Sequence, residues 1–145
     1  MKLTIKILAI FFFLFTTAIS ANDHYFSEAK ELFDKGKYKE SKFLLQRSIV
    51  FNPKHSKSYL YLAKIYNHEE NQEKEEKNLE ATLLIEPNNE EAILMLIKIA
   101  LEKSNYLKVK DLSKTFIEVC EKLCDENKSI LESLENIEPK NNNDS

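Results

Sequence analysis

The chain has 145 residues, 31% of them charged and 43% hydrophobic, with one Gly, three Pro and no Trp. So little turn material beside so much Leu, Ile, Lys and Glu argues against a sheet protein and for helices, in a length suited to one domain. A net charge of −3 excludes the strongly basic surface that nucleic-acid binding requires.

The N-terminus has the layout of a secretory signal peptide. Lys2 and Lys6 form a basic start, Ile7 to Phe15 is an unbroken apolar run, and Thr16 to Ala21 turns small and polar. Nine apolar residues fall short of the ~20 that a membrane span needs. Ala18 and Ser20 precede Ala21 as small residues, so residues 1–20 are expected to be cleaved off between Ser20 and Ala21. Losing Lys2 and Lys6 leaves 19 basic against 24 acidic residues, a net −5 that does not favour anionic membrane. The predicted destination is the periplasm if the source is a Gram-negative bacterium, and the cell exterior otherwise.

Past the leader, apolar residues at three- and four-residue spacing predict helices at 23–34, 38–51, 56–68, 72–85, 90–103 and 106–122. Gly36 suits a left-handed helix C-terminal cap, and Pro53 and Pro87 end their helices because Pro cannot continue the hydrogen-bond ladder. The segment His68 to Lys77 has no apolar residue, so the front of the 72–85 helix is expected to fray or to face solvent. Glu121 stands where Pro53 and Pro87 stand in the earlier segments, so the 106–122 helix is expected to run longer. Residues 125–137, with Ile130, Leu131, Leu134 and Ile137 on one stripe, predict a seventh helix covering the end of the array. Residues 138–145 are polar and expected to be disordered.

The helices repeat. Residues 44–53 lie over 78–87 without a gap, with Pro53 and Pro87 34 residues apart. Tyr25, Tyr59 and Ile93 keep that spacing, as do Ala29, Ala63 and Ile97, then Leu32, Tyr66 and Ala100, and Ile49, Leu83 and Ile117. Tyr38 and Tyr106 match across two steps, with Gln72 between them.

These columns, and the turn Lys35-Gly36-Lys37-Tyr38-Lys39-Glu40-Ser41, resemble the tetratricopeptide repeat family over most of the chain past the leader. The resemblance implies an all-α solenoid of three helix hairpins, at 22–55, 56–89 and 90–122, plus the capping helix. It also implies a concave groove lined by the first helix of each hairpin. Carried onto this sequence, the groove holds a lysine column, Lys30, Lys64 and Lys98, each 34 residues from the next. Around it stand Phe26, Phe33, Leu60, Tyr61, Asn67, Leu94, Met95 and Leu101, of which Phe33 and Leu101 suit packing between repeats at least as well. Such a lysine ladder would face an acidic peptide or a terminal carboxylate, and aromatic and Met side chains give contact area at low entropy cost. The plain alternative is that the lysines form a solvated face and several apolar members pack between repeats. Phe26 stands where the chaperone-binding members of the family place a Lys, and the only Arg is Arg47, on a second helix, so their specific carboxylate clamp is not expected.

Cys120 and Cys124 are the only Cys. On an uninterrupted helix their Cα atoms would lie ~6 Å apart, near the edge of the window for a disulfide, so a bond favours a helix break near Leu123. An oxidising compartment favours that bond. Two reduced core fillers, or thiol or metal chemistry, are the alternatives. No cofactor, metal or catalytic site is expected. The one Gly cannot build a phosphate loop, the carboxylates fall in solvated runs such as Glu69-Glu70 and Glu75-Glu76, and His24, His55 and His68 share no ligand spacing. The expected function is an exported protein-interaction scaffold that holds a segment of another protein or peptide, with a role in envelope assembly by analogy. A structural subunit of a homo- or hetero-oligomer, or a thiol-dependent function at the Cys pair, is the alternative.

Overall fold

The computed structural model describes residues 17–137, and side chains from 24 to 132 except 127 and 131. Within them the chain forms seven helices and no strand: α1 (Thr17–Asp34), α2 (Tyr38–Phe51), α3 (Ser56–His68), α4 (Gln72–Ile85), α5 (Glu90–Glu102), α6 (Tyr106–Val119) and α7 (Cys124–Ile137). The leader residues 1–16 and the tail 138–145 lie outside the described residues. None of the described helices is long and apolar enough to cross a membrane. Helix α1 starts six residues before the expected 23, because no Gly or Pro interrupts the ladder from Thr17 to Asp34.

The 34-residue period is written into the turns. Gly36, Glu70 and Ser104 all have positive φ, and only the first is a glycine. At each, two hydrogen bonds close the preceding helix: Gly36 to Phe33 and Lys37 to Leu32, Glu70 to Asn67 and Asn71 to Tyr66, Ser104 to Leu101 and Asn105 to Ala100. The second helices end at Asn52, Glu86 and Cys120, again 34 apart, with amides donating to the carbonyls of Ser48, Thr82 and Phe116. Asn71, Asn89 and Asn105 cap α4, α5 and α6 through their side chains.

The core is a chain of three clusters, each made by one hairpin and the helix that follows it. Ala29, Leu45, Leu62, Ile65 and Tyr66 join α1, α2 and α3. Leu60, Ala63, Leu79, Ala92, Leu96 and Ile99 join α3, α4 and α5. Ile93, Leu94, Ile97, Ala100, Val109 and Phe116 form the third, against which Cys120, Leu123 and Ile130 pack. No hairpin buries its own apolar face, which is why the helices stack. Small residues set the close approaches. Ser41 Oγ donates to the Ala29 carbonyl at 2.7 Å, and Ser58 Oγ donates to Ser48 Oγ at 2.9 Å, all fully buried.

The front of α4 does not fray, and only one side of it, with Glu73, Lys74 and Lys77, faces solvent. Asn71 caps it, Gln72 Nε2 donates to Glu102 at 2.6 Å, and Glu76 bridges Lys103 at 2.5 Å and Lys108 at 2.6 Å, so polar contacts replace the missing apolar ones. Helix α6 does not run on to 122. It stops at Val119, in step with the other second helices, although Glu121 replaces the Pro. Cys120 is extended (φ −68°, ψ 136°), is bonded to Cys124, and the next amides, of Lys122 and Leu123, donate to Glu90 Oε2 at 3.1 and 2.8 Å. Helix α7 then starts 34 residues after α5, so the cap occupies the place of the first helix of a fourth repeat.

Candidate functional site

The lysine column lies on α1, α3 and α5, but its members differ. Lys30 pairs with Asp34 on its own helix at 2.7 Å. Lys64 is the most enclosed: it meets Glu91 of α5 at 2.8 Å and sits 4.6 Å from the centre of the Tyr61 ring. Lys98 is exposed and has no ion-pair partner among the described residues. Two of the three charges are thus already answered by carboxylates of the same chain, and an incoming acidic group would compete with Asp34 and Glu91.

The apolar members divide more sharply. Leu60 and Leu94 are not groove residues: both are 6% exposed and belong to the second and third clusters. Leu60 packs against α5, and Leu94 lies in the cluster that α5 builds with α6, so burial outweighs display. Met95 is half-buried against the second cluster. Phe26 and Tyr61 are half-buried in an aromatic cluster with Phe33, all edge-to-face: Phe26 to Tyr61 at 5.4 Å and Phe33 to Tyr61 at 5.1 Å. His55 closes one end of this cluster on Phe26 at 4.7 Å, and Tyr38 the other on Phe33 at 5.4 Å. Asn67 is exposed and donates to Glu75 Oε1 at 3.1 Å. The first and second hairpins therefore share an aromatic shelf, Lys64 lies over its tyrosine, and the third hairpin offers exposed Lys98.

Glu75 is the polar residue that sequence reasoning misplaced. It is 4% exposed on α4, in the column of Ser41 and Val109. Burial pushes its carboxyl above the usual carboxylate range; the Asn67 amide works against this, and the charges of Glu102 and Glu76 add to it. A raised folded-state value means that the group supports the fold in acid and loses that support as pH rises through it. Glu75→Gln is therefore expected to raise the melting temperature at pH 7 and to match the parent near pH 4, as read by circular dichroism melts at both values. Glu76 has the opposite sense, held low first by Lys103 and then by Lys108. Glu90 is likewise held low, chiefly by the Leu123 amide. Both favour the fold above the ordinary carboxylate range and lose that contribution as pH falls.

On the second helices Phe43, Val50, Phe51, Leu84, Leu107 and Ile117 are exposed, which the repeat columns did not lead one to expect. Val50 and Leu84 are one period apart, so the signal was present in the aligned segments. Cys120 and Cys124 form a disulfide with Cα atoms 5.4 Å apart. No cluster of three or more potential metal ligands occurs among the described residues.

Hairpins stacked at a 34-residue period, each closed by the next first helix, define the tetratricopeptide-repeat fold. The solved structures bear this out. The Yersinia enterocolitica type III secretion chaperone SycD, in complex with a peptide of the translocator YopD, aligns with a TM-score of 0.73 at 14% identity, over 80% of this chain and 93% of that one. The tetratricopeptide domain of Sgt2 from Aspergillus fumigatus gives 0.64 at 16% identity, over 86% and 89%. The second such domain of RPAP3, bound to the HSP90 peptide SRMEEVD, gives 0.61 at 17% identity, over 71% and 92%. No family profile matches the sequence, and no curated protein matches it significantly.

Proposed function

We propose that this protein is an exported scaffold that holds a segment of a partner protein along the faces of α1, α3 and α5, and that it carries out no catalysis itself. The observation that carries this reading is the graded row on those helices: the Phe26–Phe33–Tyr61 shelf, Lys64 over Tyr61, and exposed Lys98. A partner segment with one apolar anchor and acidic residues beyond it fits that order. Peptide-bound neighbours of the same fold support the choice of mode. Export rests on the leader, and a place in envelope assembly on analogy.

The test is crosslinking in cells that express the chain with its own leader, comparing the parent with a Lys30→Glu, Lys64→Glu, Lys98→Glu variant that melts like the parent. A species crosslinked to the parent is expected to be lost from the variant; undiminished capture by a folded variant removes this surface from the reading. The mass of the purified chain reads export separately, since cleavage leaves Ala21 as the first residue.

A further inference from the structure

The boundary between α6 and α7 is built unlike the two equivalent boundaries before it. Pro53 and Pro87 follow the C-caps of α2 and α4 and forbid those helices to continue. The third boundary, Cys120-Glu121-Lys122-Leu123, contains neither Pro nor Gly, and each of its residues is compatible with a helix. The spacing of the sequence also keeps its phase across the gap. Val109, Ser113, Phe116, Cys120, Leu123, Asn127, Ile130, Leu134 and Ile137 alternate four and three residues apart without a slip, which is the pattern of one helix. Two things oppose this pattern: the Cys120–Cys124 bond, which holds Cys120 extended, and the Glu90 carboxylate, which accepts the Lys122 and Leu123 amides.

We propose that the disulfide is a redox-controlled helix break, and that its reduction joins α6 and α7 into one helix whose C-terminal half docks on the third repeat of a second copy. A dithiol reductant attacks one sulfur, the S–S bond breaks, and a mixed disulfide forms. Its second thiol then releases Cys120 and Cys124 as two thiols, having supplied two electrons and two protons. Freed of the bond, the 120–123 backbone gains intrahelical hydrogen bonds, and α7 swings away from the cluster it covered. The segment before α7 and α7 itself already meet the end of the third repeat, through Leu123 and Ile130 against the Ile93, Ile97 and Phe116 cluster. Exchanged between two chains, the same contacts are remade in a dimer, the usual route of a swap through an extended hinge. This inference is independent of the proposed partner surface on α1, α3 and α5.

The test compares the purified protein before and after dithiothreitol, by light scattering on a sizing column and by amide exchange of residues 120–123. The oxidised chain is expected to be a monomer. The reduced chain is expected to double in mass, to slow exchange at those amides, and to return to monomer on reoxidation. A Cys120→Ser, Cys124→Ser variant should dimerise without reductant. Glu121→Pro restores the proline column beside an already extended Cys120, so this variant should stay monomeric when reduced. A reduced parent that remains monomeric, or a reduced Glu121→Pro chain that dimerises equally, overturns the proposal.

Discussion

Phe116→Ala is expected to cost about 3–5 kcal/mol and to unfold the C-terminal third of the chain ahead of the rest. Phe116 is fully buried and is the largest side chain so enclosed among the described residues. It holds Ile93 and Ile97 of α5 against α6, and the packing of α7 is built on the same cluster. A loss of this size is a large share of the ~5–15 kcal/mol that stabilises a whole domain. Neighbour-only contacts along a repeat stack mean that the damage stays local at first. Amide exchange should therefore show α6 and α7 opening by a route that leaves α2 and α3 protected, and thermal melts should broaden into two steps. One cooperative transition shifted by less than 1 °C would contradict this role for Phe116.

The reason a Phe occupies that column shows where the sequence was legible and where it was not. Its equivalents are Ser48 and Thr82, both fully buried, and the residues that open the next first helix are Ser58 and Ala92, also fully buried. Small side chains on both sides let one repeat approach the next closely. The equivalent residue on α7 is Glu126, which is exposed, so the close approach is not repeated, and Phe116 fills the third cluster from its own side. The period, the starts of α2 to α6 and the proline stops were readable because they are local and recur. The end of α6 was not, because it depends on Glu90, 32 and 33 residues before the two amides it accepts, and on a disulfide that the spacing alone left open. The α4 front was misread for a related reason. Its support comes from Glu102, Lys103 and Lys108 on later elements, and a run without apolar residues carries no sign of such partners. Among the groove candidates, the family pattern set Lys30, Lys64 and Lys98 on the first helices of the hairpins, and they lie on α1, α3 and α5. It could not separate Tyr61, on the aromatic shelf, from Leu60, which turns into the core one residue away.

Ala63→Asp is the counterpart of Phe116→Ala at the centre of the stack. Ala63 is fully buried on α3, in the column of Ala29 and Ile97, amid Leu60, Leu79 and Leu96. A carboxylate there has no cation to meet and leaves water entirely, a penalty of about 3–5 kcal/mol when ionised. The consequence differs in kind from that at Phe116. The second cluster lies mid-array and joins the second hairpin to α5, so disrupting it loosens the repeats on both sides at once, whereas Phe116 sits in the terminal cluster, where only one side depends on it. Loss is therefore expected in a single transition that takes α1 to α7 together. Burial also raises the new carboxyl well above its ordinary range, so the defect should shrink as pH falls and the group is protonated in the folded state. Glu76 and Glu90 lose their own favourable contributions over the same descent. The gap between variant and parent, and not the absolute melting temperature, is accordingly the quantity to follow, and it should be narrower at pH 4 than at pH 7. A gap that does not change with pH would mean that the stack opens to hydrate the carboxylate, and that the column is not packed as tightly as Ala63 indicates.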